Sequence, residues 1–181
     1  MSGDHIGLYV GGMYPGKRLK FLLDSLIYVR EQIPDFEMIF IGSGSDSYLV
    51  EEMNQKNSWI HFLGPKFNDE KVPYFVLSKL FLMPAQIGLA ILDCFALGVP
   101  LITTNYDGHG PEIDYLKTGN NGVIVDSPNN AVLFAQAIID LFKNENARLK
   151  LVEGCQVSSS EFSIEKMVEN FADGIELALM N

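Results

Sequence analysis

A doubly wound, three-layer α/β domain with about six mostly parallel strands is the fold class the sequence predicts. Strand-length apolar runs alternate with segments of helical periodicity along nearly all of the 181 residues. The central stretch, residues 80–105 (LFLMPAQIGLAILDCFALGVPLITTN), carries a single charge, Asp93, between Leu80 and Ile102. Glycine-rich turns close the opening strands, as Gly11-Gly12 and Gly42-Ser43-Gly44.

The central stretch is apolar enough to pass for a membrane span, which needs roughly 20 such residues. Its punctuation says otherwise. Pro84, Gly88, Gly98 and Pro100 divide it into a strand (80–83), a helix apolar all round (88–97) and a second strand (99–103). Elements apolar on every face belong in the middle of a layered domain, so this is expected to be the core βαβ unit. Asp93 is the exception. A carboxylate halfway along such a helix is costly unless it is paired or meets a crevice. It is either a satisfied structural group or a carboxylate near a ligand's hydroxyls. In the second case the helix start at Gly88 would offer free amides to an anion.

The remaining elements follow in order. Residues 6–10 read as the first strand and 11–16 as a glycine-rich turn. Leu19, Leu22, Leu23, Leu26 and Ile27 recur at helical spacing in a helix that stops before Pro34-Asp35. Strand 36–41 ends in Gly42-Ser43-Gly44, and Ser45 or Asp46 caps a short helix through Met53. Strand 59–63 turns at Gly64-Pro65, and residues 68–71 open a helix through Leu77. After the central unit come a loop (107–111), a short helix from Pro111 through Leu116, a turn (118–122) and a sixth strand (123–125). Ser127-Pro128 is expected to begin a helix through Phe142. Ser163 caps a last amphipathic helix with Ile164, Met167, Val168, Phe171 and Ile175 on one stripe. There is no repeat, low-complexity stretch or interior linker, so residues 1–181 read as one Rossmann-like domain.

Composition narrows the function classes. A hydrophobic fraction of 48% and a charged fraction of 20% describe an ordinary globular protein. The net charge of −10 argues against a nucleic-acid or anionic-membrane surface, which would need clustered Lys and Arg. Cys94 and Cys155 form neither a disulfide framework nor a metal-site pattern, and a reduced, cytoplasmic setting is expected. The chain enters a strand almost at once with no visible signal peptide, an abrupt start expected of a piece of something longer.

In such sheets ligands sit outside the carboxyl ends of the strands, at the switch point of the strand order. The Gly11-Gly12 turn, the Gly42-Ser43-Gly44 turn and the Gly88 helix start would meet there. Gly11 and Gly12 let backbone approach a ligand, and Lys17 at the mouth of the next helix is either a phosphate ligand or an ordinary solvated lysine. The spacing of Gly12 and Gly16 is not that of a dinucleotide fingerprint, and no GxxxxGK[ST] is present, which excludes the NAD-type and P-loop readings.

Several ordered motifs together resemble the C-terminal, donor-binding domain of GT-B retaining glycosyltransferases of the group 1 (family four) class. That domain opens with a strand and a pattern like VGR-L-x-x-x-K-G, then a helix with LL-x-A. Here stand Val10-Gly11-Gly12-Met13, Lys17-Arg18 and Leu22-Leu23-Asp24-Ser25. The family's G-x-G after the second strand is matched by Gly42 and Gly44, and its F-L-G after the third by Phe62-Leu63-Gly64. Its signature P-S-x-x-E-G-F-G-L-x-x-L-E-A-x-A-x-G-x-P-V-I is matched at Pro84, Gly88-Leu89, Leu92-Asp93, Ala96, Gly98, Pro100 and Ile102. Glu112-Ile113 and Asn121-Gly122 continue the series, and the likeness runs to Phe162-Ser163.

The resemblance implies half of a GT-B fold, with an N-terminal acceptor-binding domain missing. It implies that Gly11 and Gly12 lie under the diphosphate of a nucleotide sugar and that Lys17 pairs with it. The backbone around Phe62, Leu63 and Lys66 would face the base, and the amides of Gly88 and Leu89 would hold the distal phosphate. Asp93 would bind the ribose hydroxyls where the family has a glutamate. Three departures matter. The family's phosphate-binding arginine is Gly12 here, its sugar-contacting first glutamate falls on Ala85, and Pro84-Ala85-Gln86-Ile87 replaces an acidic segment. Gln86 or His109 could take over the sugar contact, or each could be a plain loop residue. Some members of the class that build surface polysaccharides look similar here, with the bare P-x-x-x-G-L form and a later H-G-P-E.

The implied activity is sugar transfer with retention from a nucleotide diphosphate sugar to a glycan or lipid-linked acceptor. It needs neither a cofactor beyond the donor nor a metal ion, and no D-x-D pair is present. The full-length protein would be cytoplasmic and peripheral to the membrane. No catalytic side chain can be assigned within this half. The alternative is a degenerate, non-catalytic nucleotide-binding or scaffold module. A receiver-like signalling domain would need an aspartate ending its first strand, where Val10-Gly11-Gly12 stands instead.

Overall fold

The computed structural model describes residues 4–180. Its six strands are β1 (Ile6–Val10), β2 (Glu37–Ile41), β3 (Ile60–Phe62), β4 (Leu80–Leu82), β5 (Leu101–Thr104) and β6 (Gly122–Val125). They form one sheet in the order β3-β2-β1-β4-β5-β6, with every pairing parallel. The chain winds outward from β1 to β3, then crosses back and winds the other way from β4 to β6. The switch point therefore lies between β1 and β4, where Gly7 pairs with Leu80 and Leu8 with Phe81.

Seven α-helices cover the faces: α1 (Leu19–Gln32), α2 (Ser47–Lys56), α3 (Val72–Leu77), α4 (Ala90–Leu97), α5 (Ala131–Lys143), α6 (Glu145–Glu161) and α7 (Ile164–Leu179). α1 packs against α2 and α5, while α4 packs against α3 and α6, which makes two outer layers. Leu19, Leu22, Leu23 and Leu26 of α1 are buried, as the spacing predicts, and Val29 joins them, whereas Ile27, also expected on that stripe, is exposed. Phe36, Phe40, Phe75, Phe81, Phe95 and Phe134 are fully buried in the core. Each such side chain contributes about 1.5–3 kcal/mol by leaving water.

Most boundaries agree with the sequence reading to within a residue or two. Three features differ. The central helix begins at Ala90 and not at Gly88, and it is not buried all round. Ile91, Cys94 and Phe95 face the core, whereas Leu89 and Ala96 are exposed. The physical reason is its position in an outer layer, with the sheet on one side only. The fifth helix begins at Ala131 and not at Pro128, because the Asn130 side chain caps it, accepting from the amides of Val132 and Leu133 at 3.1 Å each.

The third difference is α6, which the periodicity does not announce. Asn144 caps it, accepting from the Ala147 amide at 3.0 Å. It docks through small residues, Gly154, Cys155 and Ser158, onto the turn at residues 117–121. A Cβ on Gly154 would stand 1.9 Å from the Asn120 carbonyl oxygen, so only glycine permits this approach. Asn121 anchors the seam from the other side. Its Oδ1 accepts from the Lys117 amide at 2.7 Å, and its Nδ2 donates to the Tyr115 carbonyl and to Ser158 Oγ, both at 2.9 Å. The last helix is capped by Ser163 as expected, yet none of its residues is buried among those described.

Candidate functional site

The site lies along the carboxyl edge of the sheet. Its floor is backbone against backbone. The Gly11 amide donates to the Ile41 carbonyl at 3.0 Å, and the Met13 amide to the Ser43 carbonyl at 2.9 Å. Gly42 and Gly44 both have positive φ, and a Cβ on either would come within 1.9 and 2.1 Å of the carbonyl oxygens of Gly11 and Met13 respectively. These two glycines serve the approach of one loop to another. Tyr9, buried beneath, donates its hydroxyl to the Gly12 carbonyl at 2.6 Å. Burial pushes that phenol far above its usual range, so it remains a donor.

An open cleft of about 230 Å³ sits on this floor. Val10, Gly11 and Gly12 form one wall, and Pro65, Lys66 and Phe67 the other. Lys66 Nζ lies 5.6 Å over the Tyr74 ring, and Phe67 is exposed at the rim. Phe62 ends the edge strand, and Leu63 follows it toward the segment that lines the cleft. Their amides are engaged by Asn54 Oδ1 (3.3 Å) and the Phe40 carbonyl (3.0 Å).

Lys17 ends a 3-10 turn, Pro15–Lys17, and is only 7% exposed. Its Nζ donates to the Gln86 carbonyl and lies 3.6 Å from Met83 Sδ, which carries the ammonium across the switch point to the segment before α4. Burial lowers its pKa, opposed by the charge of Glu112. Gly88 has φ +61°, and the Cβ position it lacks is 3.9 Å from Lys17 Nζ. The amides of Gly88 and Leu89 precede the first turn of α4 and donate to no carbonyl or side chain among the described residues. The Lys17 ammonium thus lies beside the Gly88 turn, where two amides are free, an arrangement suited to a phosphate.

Arg18 does not join them. Its guanidinium reaches the Pro128 carbonyl and Asn129 Oδ1 (2.8 Å) and stacks over Phe21 at 4.6 Å. Asp93, one turn along α4 from Leu89, is paired with Lys71 at 2.5 Å, the two side chains being 36% and 25% exposed. Lys71 is a partner that nothing in the spacing points to. An ion pair this exposed stabilises the fold by no more than about 1 kcal/mol.

On the other flank, Thr104 at the end of β5 donates its hydroxyl to the Pro84 carbonyl at 2.7 Å. The ring of His109 lies against the same strand end, with Nε2 2.9 Å from the Thr104 carbonyl and 3.4 Å from Thr103 Oγ1. Its Nδ1 is buried with no hydrogen-bond partner among the described residues. Burial first, and then the charge of Lys17, hold this imidazole below its usual pKa, against the opposing effects of the Thr104 carbonyl and Glu112. Ala85 is fully buried and presents nothing to a ligand. The Gln86 side chain lies over Gly16, where a Cβ would meet its Oε1 at 2.5 Å. Among the described residues, no group of three or more His, Cys, Asp or Glu is placed to hold a metal ion. No helix there is long and apolar enough to cross a membrane.

Residues 4–144 match the family described as "Glycosyl transferases group 1". The chain belongs to the group 1 glycosyltransferases. A relative among curated proteins is the spore coat protein SA of Bacillus subtilis (strain 168), 27% identical over 186 residues, an alignment covering 94% of this chain and 48% of that protein. The group 1 chain therefore spans about half the length of this relative. The pneumococcal O-GlcNAc transferase GtfA, solved with UDP and GlcNAc, superposes with a TM-score of 0.79 at 18% identity over 97% of this chain and 36% of that one. The C-terminal domain of a glycosyl transferase group 1 family protein (LpcC) from Francisella tularensis gives 0.75 at 20% identity, covering 90% and 88%. At these identities the structures show the fold, a Rossmann-like domain of the kind found in GT-B glycosyltransferases.

Proposed function

We propose that this chain is the donor-binding half of a retaining glycosyltransferase and holds the diphosphate of a nucleotide sugar at the β1/β4 switch point. The observation that carries the reading is the placement of Lys17 Nζ beside the Gly88 turn, where the amides of Gly88 and Leu89 are free. An ammonium has three donors, so Lys17 can keep the Gln86 carbonyl and still reach a phosphate oxygen. The cleft between Gly11-Gly12 and Pro65–Lys66–Phe67 would take the base. Asp93 would take the ribose hydroxyls, sharing its carboxylate with Lys71. Positive groups fixed around the diphosphate stabilise the departing nucleotide, which requires neither a cofactor nor a metal ion in this reading.

The partner that completes the enzyme is an N-terminal, acceptor-binding domain. The likeness to an isolated C-terminal domain supports this placement, as does the 48% coverage of the Bacillus relative. The unburied stripe of α7 would meet that domain. An apolar groove of about 310 Å³ continues the stripe, lined by Leu92, Tyr115, Phe162 and Ile164. The acceptor would be a glycan or a lipid-linked glycan of surface polysaccharide synthesis, with the whole enzyme cytoplasmic and peripheral to the membrane.

The competing reading, a non-catalytic scaffold, is favoured by one observation. Lys17 and Asp93 already have protein partners, and Arg18 is turned away. Calorimetric titration with UDP, GDP and ADP separates the two. One nucleotide should bind, and Lys17→Ala should weaken it roughly tenfold or more, the scale of a charge-assisted hydrogen bond. Asp93→Ala should weaken it less. A folded chain that binds none of the three overturns the proposal in favour of the scaffold.

A further inference from the structure

We propose that Nδ1 of His109 accepts a hydrogen bond from a hydroxyl of the donor sugar, which makes this histidine a determinant of sugar specificity. The inference rests on the donor-site reading above. A backbone carbonyl only accepts, so the ring nitrogen facing the Thr104 carbonyl at 2.9 Å carries the hydrogen. In a neutral imidazole the other nitrogen is then a bare lone pair. That atom, Nδ1, is buried and receives no donor among the described residues. Protonation is not its outlet, because burial and the nearby Lys17 charge both disfavour the imidazolium.

A lone pair recognises a donor. Phosphate oxygens are acceptors, and the carboxylate of Glu112 is another, so neither satisfies Nδ1. A neutral O–H group does. The order of strands places such a group here. The cleft for the base is built on the ends of β1 and β2 and the segment after β3, the phosphate spot lies between β1 and β4, and His109 hangs on the end of β5. Along that edge the next part of a nucleotide sugar beyond its diphosphate is the sugar, which is neutral and rich in hydroxyls. Ala85 is fully buried and Gln86 is laid over Gly16, so neither competes for the role. Nδ1 is covered by the protein. The segment around residues 106–110 must therefore shift for a sugar to reach it, and a bare diphosphate should leave it in place.

The test uses the chain as it stands. UDP, UDP-glucose, UDP-N-acetylglucosamine, GDP and GDP-mannose are titrated into wild type, His109→Ala and His109→Asn. For the nucleotide that binds, His109→Ala should leave the diphosphate affinity within about twofold. It should lower the affinity ratio of nucleotide sugar to diphosphate roughly fivefold, the scale of one hydrogen bond. His109→Asn, which keeps an acceptor, should restore part of that ratio. An unchanged ratio in His109→Ala overturns the inference while leaving the donor site intact. Absence of diphosphate binding in wild type overturns the donor-site reading itself. A ¹⁵N spectrum of wild-type imidazoles decides the matter even if His109→Ala does not fold. The His109 Nδ1 resonance should move on adding the nucleotide sugar and stay with the diphosphate, and equal behaviour with both overturns the inference.

Discussion

α1 and α7 carry the same kind of pattern and meet opposite fates. Both are amphipathic, α1 with 14 residues and α7 with 16. α1 lays Leu19, Leu22, Leu23, Leu26 and Val29 onto the sheet and α5 and buries them. α7 presents Ile164, Met167, Val168, Phe171 and Ile175 along one stripe and buries none, with Phe171 71% exposed. Periodicity states that a helix has an apolar face. It does not state whether the partner of that face is on the same chain. An apolar stripe this long is costly to leave in water, and in the function proposed above the acceptor-binding domain covers it.

The contrast can be broken or sharpened by measurement. The largest effect is expected for Leu22→Ala, which should cost about 2–5 kcal/mol in urea unfolding through a cavity under α1. Next is Gly154→Ala, expected to cost about 1–3 kcal/mol by forcing α6 off the Asn120 carbonyl. That substitution asks whether a helix with a weak pattern is nonetheless held as firmly as α1. A smaller change is expected from pH. The His5 hydrogen bond at 2.7 Å holds the Asp35 carboxyl below its ordinary 3.8. Because the folded pKa lies below the unfolded one, this stabilisation is complete above the ordinary range and disappears as pH falls through the lowered value. The carboxylate is 53% exposed, so solvent limits the loss, read as the difference between wild type and Asp35→Asn, to about 0.5 kcal/mol. The smallest effect is expected for Phe171→Ala, within about 0.5 kcal/mol in the isolated chain. A cost like that of Leu22→Ala would show that α7 folds back onto its own chain in solution.

Much of the fold was legible because parallel strands buried on both faces stand out as short apolar runs between glycines. α6 was not legible. Apart from Leu151, the surface it buries consists of Gly154, Cys155 and Ser158, small residues whose burial is set by the turn at 117–121. Its leucine and valine at 149 and 157 face solvent, which blurs any stripe. α4 misled in the opposite sense, since Ala96, and Leu89 just before its first turn, are apolar yet exposed. At the site, Lys17 and Gly88 could be picked out from their positions after a strand and before a helix. The Gln86 carbonyl that tethers Lys17, the Lys71 partner of Asp93 and the orphaned nitrogen of His109 could not. Each depends on residues five to 69 apart meeting in space.

The contact between the Gly42 and Gly44 loop and the turn at Gly11 to Met13 has a consequence for how the proposed donor preference could change. Where main chain rests on main chain, every side chain larger than hydrogen is excluded at those two glycines, so these two positions of the floor offer almost no viable sequence variation. If the site holds a nucleotide sugar as proposed, selection for a different nucleotide or sugar would act on the rim, where Lys66, Phe67 and the loop bearing His109 have room to differ. The same rigidity means that a new preference can arise there without rebuilding the support beneath it.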